Sequence, residues 1–190
     1  MNNSILVIMA GGRSSRMERD KALLPFDDKN SLAEYQYERF KPLFSKVYIS
    51  AKNNKFDFPV EIIEDCYPDS SPLVALVSIF EQLDVNEVMI LSVDSPFVDI
   101  EVFRQLKDRG EIDSMAVVAE SPRGVEPLCA IYQRSILPVA KTMIQENRHR
   151  LQRLLESVKT QKVFIDDSHK FMNLNYFFEY KLAKTLSSNI

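Results

Sequence analysis

Short apolar runs, separated by polar segments that carry glycine, proline, serine and aspartate, recur along the chain and predict alternating strands and helices. The strands predicted in the first half are Ile5 to Met9, Lys46 to Ala51, Val60 to Glu64 and Val88 to Val93. The last of these runs is nearly all apolar, which is typical of a strand that is covered on both faces.

Apolar residues at helical spacing fill the segments between these strands. Ser31, with a glutamate three residues later, is a typical N-cap for a helix that extends to about Phe44. Pro72 is well placed to begin a second helix, and Asp99 can cap a third helix that extends to about Lys107.

The resulting order, β, α, β, β, α, β, α, predicts an α/β fold with a mostly parallel sheet and helices on both faces. Ligands of such sheets bind beyond the carboxyl ends of the strands. Gly11-Gly12, Asp65 and Asp94 each follow a strand directly, so we expect them to meet at this edge of the sheet.

The second half is predicted to begin with two strands joined by the loop Glu120 to Pro127 and to continue with helices and one short strand. The predicted strands are Ser114 to Ala119, Leu128 to Tyr132 and Lys162 to Ile165, and the predicted helices are Leu137 to Glu146, Leu151 to Ser157 and Asn175 to Leu186. No repeat, low-complexity tract or linker divides the chain, so we predict a single domain over residues 1–190.

Composition narrows the possible functions. The 190 residues are 45% hydrophobic and 27% charged, as in an ordinary globular protein, and the net charge of -3 argues against a dedicated nucleic-acid binder. Cys66 and Cys129 lie far apart without metal-ligand spacing, so neither a zinc site nor a disulfide framework is indicated. The sequence starts without a signal peptide and has no run of transmembrane length, so we expect a cytoplasmic protein that does not bind a membrane.

The stretch from Ile5 to Pro25 carries the most specific candidate chemistry. Gly11-Gly12, directly after the first strand, lets the backbone approach a ligand and aim successive N–H groups at it. Four cations in the same segment make a polyphosphate the expected ligand, although the spacing matches neither Walker A nor GxGxxG. A solvated basic loop is the alternative, but the preceding strand and the following lysine favour phosphate. The four cations are Arg13, Arg16, Arg19 and Lys21.

Asp94 is the candidate metal ligand. It ends the most apolar strand and precedes Ser95-Pro96, which restricts the chain direction just beyond it. A carboxylate there suits Mg²⁺, which usually takes one or two protein carboxylates together with phosphate oxygens and waters. An Asx-type turn is the alternative role, and the phosphate segment on the same sheet edge favours the metal.

These residues also carry a family resemblance. Met9 to Met17 (MAGGRSSRM) and Asp20 to Pro25 (DKALLP) resemble the signature LAGGxSxRMGxDKxLL of the molybdenum cofactor guanylyltransferases, the MobA family, with Glu18 at a position where the family has glycine. The resemblance implies a three-layer α/β/α, Rossmann-like nucleotidyltransferase (GT-A-like) fold, GTP as donor, molybdopterin cofactor as acceptor and Mg²⁺ as cofactor. The nucleotide-binding residues that it implies are Met9, Ala10, Gly11, Gly12, Lys21, Asn53, Asp65 and Asp94.

Further segments resemble motifs of this family. Asp94 to Phe97 is similar to D-x-P-[FY], whose aspartate is the metal ligand. Asp65 opens a segment similar to the second motif, in which the aspartate lies near the guanine base, but Ser71 and Ala75 replace the glycines of that motif.

Other resemblances concern a loop and the acceptor side. In the family's V-x-A-N motif the asparagine lies near the nucleotide; here Lys52 or Asn53 can take that position, and a solvated loop is the alternative. The strand Glu126 to Tyr132 resembles xPLxAxY, and Phe171 to Asn175 resembles F-x-N-[IV]-N. The acceptor-binding residues that the resemblance implies are Ser71, Asn173 and Asn175.

We therefore expect nucleotidyl transfer, in which a phosphate monoester attacks the α-phosphorus of a nucleoside triphosphate and expels pyrophosphate. Arg16 and Lys21 are predicted to hold the triphosphate, and Asp94 is predicted to hold Mg²⁺; these three are the predicted catalytic residues.

Two alternatives remain: a related cytidylyl- or sugar-nucleotide transferase, and a degenerate protein that binds nucleotide or cofactor without catalysis. Residues 1–110 are predicted to form the nucleotide-binding half and residues 111–190 the acceptor-binding half. Beyond its substrates, we expect transient contact with cofactor-synthesis or acceptor proteins, no nucleic acid, and a monomer or weak homo-oligomer.

Overall fold

Seven strands and six helices alternate in the computed structural model, which describes residue 1 and residues 3–11 and 20–187. The strands are β1 Ile5–Met9, β2 Lys46–Ala51, β3 Ile62–Glu64, β4 Glu87–Ser92, β5 Ala116–Ser121, β6 Gly124–Gln133 and β7 Thr160–Phe164. The helices are α1 Leu32–Phe40, α2 Pro72–Gln82, α3 Ile100–Arg109, α4 Leu137–Gln145, α5 Leu151–Ser157 and α6 Phe177–Ser187. Short 3₁₀ turns form at Lys21–Leu23 and Arg134–Ile136.

All seven of these strands form one sheet in the order β3-β2-β1-β4-β6-β5-β7. The pairs β2–β3, β1–β2, β1–β4 and β5–β7 are parallel, and only β6 runs against its neighbours β4 and β5. The predicted mostly parallel sheet is therefore confirmed. The sheet is continuous from the first four strands into the last three through the pairing of β4 with β6.

Alternation along the central strands divides the core into two layers. In β1, Leu6 and Ile8 point to the face covered by α1, α3 and α6, whereas Val7 and Met9 point to the face covered by α2, α4 and α5. Because side chains of a strand alternate between faces, a strand covered on both sides needs apolar residues at every position. The three-layer α/β/α architecture explains the continuous apolar runs.

Side-chain caps fix where the helices begin. Ser31 Oγ accepts a hydrogen bond from the Glu34 backbone N–H at 3.1 Å, as the sequence predicts. The helix ends at Phe40 rather than near Phe44, so the predicted boundary was wrong. Pro42 lacks an N–H group and cannot continue the helical hydrogen-bond ladder, and the chain closes instead in a tight turn.

The segment from Glu120 to Pro127 is not the predicted loop. It belongs to a hairpin of β5 and β6 in which Ser121 pairs with Gly124 across a two-residue turn. Gly124, which directly follows the two turn residues, has a φ of +122°. Residues with a Cβ rarely adopt this backbone conformation, so glycine is favoured at this position. The polar residues of the segment from Glu120 to Pro127 gave the prediction of a loop because they lie at the exposed end of a hairpin.

Among the described residues, no helix combines the length and the apolar character that crossing a bilayer requires.

Candidate functional site

A cleft opens at the carboxyl ends of β1, β3 and β4 and beside the N-terminus of α2. Its lining includes three of the residues that the sequence predicts to converge there, Gly11, Asp65 and Asp94, each of which follows a strand. The described residues that line the cleft are Met9, Ala10, Gly11, Asp20, Lys21, Ala22, Ser50, Asp65, Ser70, Ser71, Pro72, Ala75, Ser92, Val93, Asp94 and Leu128. The predicted residues Gly12 and Arg16 lie outside the described residues. The same is true of Glu18, which stands where the family signature has glycine.

A charge pair lies at the centre of the cleft. Lys21 Nζ is 2.9 Å from Asp94 Oδ2 and also donates to Asn175 Oδ1 at 3.2 Å. Ser92 Oγ donates to the other carboxylate oxygen of Asp94 at 2.6 Å. The side chains of Lys21 and Asp94 are only 17% and 20% exposed, so each charge lies partly out of water and is neutralised by the other. The charge of each of these two side chains is therefore compensated within the cleft.

The position of Lys21 is set by the short 3₁₀ turn that it begins. Asp20 caps this turn, because its Oδ1 accepts a hydrogen bond from the Ala22 N–H at 3.1 Å. The other oxygen of Asp20 pairs with Lys55 Nζ, which also donates to the carbonyl of Ala10 at 3.1 Å. Lys55 thus connects the loop after β2 both to Ala10, at the end of β1, and to Asp20, just before the 3₁₀ turn.

Lys55 is a site residue that sequence reasoning missed. It is one of four polar residues in the loop after β2, and nothing in that composition distinguishes it from its neighbours. Lys52 and Asn53 are exposed, and neither is among the described residues that line the cleft. The structure therefore does not bring the predicted Asn53 to the cleft.

Asp65 lies half-buried in the wall of the cleft. Burial raises the pKa of its carboxyl group, and the positive charge of Lys52 partly opposes that shift. The chain beyond Asp65 is fixed to α2, because the Cys66 N–H donates to Ser78 Oγ at 2.9 Å. Among the described residues, the charge of Lys52 does not cancel the effect of burial, and a half-buried carboxylate of this kind suits recognition of a ligand with hydrogen-bond donors.

The N-terminus of α2 opens into the cleft. Ser71 caps the helix by accepting from the Val74 N–H at 3.1 Å, and Ser70, Ser71 and Pro72 all line the cleft. The N-terminus of an 11-residue helix carries a partial positive charge and favours anions. This helix end and Lys21 together make the cleft suitable for phosphate groups.

Ser71 also links α2 to the connection between α4 and α5. His149 Nδ1 lies 3.3 Å from Ser71 Oγ, and His149 Nε2 lies 2.9 Å from Asn147 Oδ1. The oxygen of Asn147 accepts and the hydroxyl of Ser71 can donate, so Nε2 of the ring can serve as the donor and Nδ1 as the acceptor. His149 is partly exposed at this position.

The segment 173–175 is joined to the loop that carries Asp94. Asn173 Oδ1 accepts from Ser95 Oγ at 2.6 Å, and the Leu174 N–H donates to the carbonyl of Asp94 at 2.9 Å. Asn175 accepts from Lys21 and Asn173 accepts from Ser95, but neither asparagine is among the described lining residues. Of the predicted acceptor residues, Ser71 therefore lines the cleft, Asn175 contacts a lining lysine, and Asn173 supports the loop that carries Asp94.

Gly11 keeps space in the cleft. A Cβ added there would lie 4.0 Å from the Cα of Ala51, which is an ordinary van der Waals distance. Among the described residues, nothing would clash with a side chain at this position. Glycine instead leaves the backbone after β1 open to close approach by a ligand.

The donors in the cleft fit a magnesium ion held partly by its substrate. Asp94 supplies one carboxylate, and no group of three or more His, Cys, Asp or Glu residues with metal-binding geometry occurs in the part of the chain that is described. Mg²⁺ commonly binds one or two protein carboxylates and completes its shell with phosphate oxygens and water. Asp94 beside a phosphate-binding surface matches this pattern.

A second carboxylate, Glu126, lies near Asp94. Glu126 lies on β6, the strand that pairs with β4, and is close enough to Asp94 for the two carboxyl groups to interact electrostatically. Burial raises the pKa of Glu126, and the charge of Asp94 raises it further. Ser121 Oγ donates to Glu126 Oε1 at 2.9 Å. The sequence pattern places Glu126 in the predicted loop from Glu120 to Pro127 and does not identify Asp94 as its neighbour.

Comparison with known proteins gives concordant results. The MobA-like NTP transferase domain matches residues 6–163. A molybdenum cofactor guanylyltransferase from Campylobacter jejuni subsp. jejuni serotype O:6 is 34% identical over 187 residues, which cover 97% of each chain. A protein of the same name from Helicobacter pylori is 31% identical over 189 residues and covers 96% of this chain and 89% of its own length.

The fold is also found in a solved structure. The crystal structure of molybdopterin-guanine dinucleotide biosynthesis protein A from Archaeoglobus fulgidus matches with a TM-score of 0.85. The two chains are 20% identical, and the match covers 98% of this chain and 100% of the other.

Asp65→Asn is expected to raise the melting temperature of the ligand-free protein at neutral pH. Because burial raises the pKa of Asp65 in the folded state, ionisation above that pKa destabilises the folded protein relative to the unfolded chain. At pH values below the ordinary carboxyl pKa of 3.8 the group is protonated in both states, so the gain should vanish there. Thermal melts over a pH series measure this difference.

Asp113→Asn is the matched control for this experiment. Asp113 is exposed, and a hydrogen bond from Lys159 lowers its pKa, so its replacement should not stabilise the protein at neutral pH. A lower melting temperature for Asp65→Asn than for the unmodified chain at neutral pH would contradict the burial argument.

Proposed function

Since this chain belongs to the MobA-like NTP transferase family, we propose that it transfers GMP from GTP to the molybdopterin cofactor, forming the guanine dinucleotide cofactor and pyrophosphate. The observation that carries the proposal is the 34% identity to a molybdenum cofactor guanylyltransferase over 97% of both chains. The cleft supports the same chemistry, because it combines a lysine, a carboxylate and a helix N-terminus at the carboxyl edge of a parallel sheet.

The reaction is a substitution at phosphorus. An oxygen of the acceptor's terminal phosphate forms a bond to the α-phosphorus of GTP, the bond from that phosphorus to the bridging oxygen breaks, and pyrophosphate leaves with the electron pair. The acceptor phosphate is itself the nucleophile, so no covalent protein intermediate is needed. The contribution of the protein is positioning and charge neutralisation.

Individual residues have distinct roles in this proposal. Lys21 and the N-terminus of α2 hold phosphate oxygens, and Gly11 leaves room for them. Asp94 is the residue that would hold Mg²⁺, which supplies positive charge next to the phosphate oxygens when it is bound. Asp65, at the far side of the same cleft, accepts hydrogen bonds from the base, and Asn175 lies on the acceptor side.

The Lys21–Asp94 pair makes binding of nucleotide and metal interdependent. Lys21 neutralises Asp94 at 2.9 Å, so a triphosphate that attracts Lys21 leaves the carboxylate available to a cation. If Asp94 held a cation, Lys21 would in turn be available to the phosphate oxygens. Each ligand therefore lowers the cost of binding the other, which is reciprocal coupling between two neighbouring sites.

Three further expectations stay predictions. They are transient contact with cofactor-synthesis or acceptor proteins, a monomeric or weakly associating state, and a cytoplasmic location.

The proposed activity is tested by incubating the protein with Mg²⁺, the molybdopterin cofactor and either GTP or CTP. We expect pyrophosphate release and formation of the dinucleotide with GTP, and a larger thermal shift with GTP than with CTP at equal concentration. Ligand stabilisation grows as RT ln(1 + [L]/Kd), so the tighter nucleotide gives the larger shift. Preference for CTP would indicate a cytidylyltransferase, and GTP binding without pyrophosphate release would indicate a non-catalytic binder.

Lys21→Ala is expected to weaken GTP binding roughly 10- to 100-fold, because it removes a charge-assisted contact worth about 1.5–3 kcal/mol. Isothermal titration calorimetry measures the affinity. Lys29→Ala is the matched control, since Lys29 is exposed to a greater extent and pairs with its neighbour Asp28. Equal GTP affinity of Lys21→Ala and Lys29→Ala would remove Lys21 from the phosphate site.

Asp94→Asn is expected to melt near the unmodified protein and to bind GTP weakly, but to lose most transfer activity. The change preserves side-chain volume, but a neutral amide oxygen is a poorer ligand for a hard dication than a carboxylate. Raising the Mg²⁺ concentration should recover part of the activity in a steady-state assay. Normal turnover at low Mg²⁺ would show that Asp94 is only a turn residue.

A further inference from the structure

The loop that carries Asp94 is held from behind by a buried glutamine. Gln36 of α1 has no exposed surface, and its Nε2 donates to the carbonyl of Ser95 at 2.9 Å and lies 3.5 Å from that of Val93. These two carbonyls flank Asp94 directly along the chain. Because both are acceptors, they also fix which end of the Gln36 amide faces the loop.

Arg39, one helical turn after Gln36, holds the next part of the loop. Its guanidinium donates to the carbonyl of Pro96 and, at 3.1 Å, to the carbonyl of Val98. It also donates to Gln36 Oε1 at 3.1 Å, so the two side chains form one connected network. A planar guanidinium can serve several acceptors at once, whereas a lysine ammonium is a single point of charge.

The opposite side of the loop is held by the segment 173–175. The Leu174 N–H donates to the carbonyl of Asp94, and Ser95 Oγ donates to Asn173 Oδ1. The backbone on both sides of Asp94 is therefore fixed, and its carboxylate faces the cleft with Ser92 and Lys21.

We propose that Gln36 and Arg39 are positioning residues that fix the direction of the Asp94 carboxylate for metal binding. This inference rests on the proposed role of Asp94. Neither side chain is among the described residues that line the cleft. Both act through the backbone of residues 93–98, in which they hold the carbonyls of Val93, Ser95, Pro96 and Val98. Partners that orient a metal ligand commonly change metal affinity 10- to 100-fold when they are removed.

A purely stabilising network would give a different result. Burial of Gln36 and satisfaction of the loop carbonyls also stabilise the fold, so loss of stability alone does not distinguish the two roles. A structural role lowers the melting temperature and leaves the affinity of the remaining folded protein for metal unchanged. A positioning role changes that affinity in molecules that are fully folded.

The decisive measurement is the affinity for Mn²⁺ by electron paramagnetic resonance, with GTP present and acceptor absent. We expect Arg39→Met and Gln36→Leu each to weaken Mn²⁺ binding about tenfold or more below their melting temperature. Arg39→Lys should restore part of the affinity, because one of the loop carbonyls can still be held. GTP affinity without metal should stay equal to that of the unmodified protein, since neither side chain lines the cleft.

Arg104→Met is the matched control, because Arg104 is an exposed helical arginine that pairs with Glu101 three residues away. Asp94→Asn is the reference for loss of the ligand itself. Unchanged Mn²⁺ affinity in Arg39→Met and Gln36→Leu, with clear loss in Asp94→Asn, would overturn the positioning role and leave the proposed function intact. Unchanged affinity in Asp94→Asn as well would overturn both. If Arg39→Met does not fold, Arg39→Lys and Gln36→Leu decide the question by the same measurement.

Discussion

The parallel alignment of β1 to β4 is the constraint on which the cleft depends. Strands that run in the same direction end at the same edge, and both faces of the sheet are covered by helices. Polar side chains are therefore kept out of the middle of β1 and β4 and lie at or just beyond the strand ends. Gly11, Asp65 and Asp94 are brought together by this alignment although they are far apart in sequence.

Two lysines in the described part of the cleft region are each paired with a carboxylate. Lys21 pairs with Asp94, and Lys55 pairs with Asp20, so each of these two positive charges is compensated although it lies partly out of water. The cations can change partners when an anionic ligand arrives. The same contacts that stabilise the free protein thus hold its binding groups near the positions in which the proposed reaction needs them.

The sequence was sufficient to predict the architecture and much of the cleft, because both depend on local patterns. Apolar runs marked the buried strands, and Asp94 followed the most apolar of them. The contributions of Lys55 and Gln36 depend on tertiary contacts between distant segments, and no local pattern identifies them. The hairpin turn at Gly124 was missed because the polar residues around it also suit a loop.

The antiparallel strand β6 affects the order in which the sheet can form during synthesis of the chain. It lies between β4 and β5, so the edge of β4 stays unpaired until residues 124–133 have left the ribosome. A chain that stops near residue 110 would expose a central, almost wholly apolar strand edge, which is a template for intermolecular pairing. The first four strands are thus contiguous in sequence, but the edge of β4 is covered only after β6 has been synthesised.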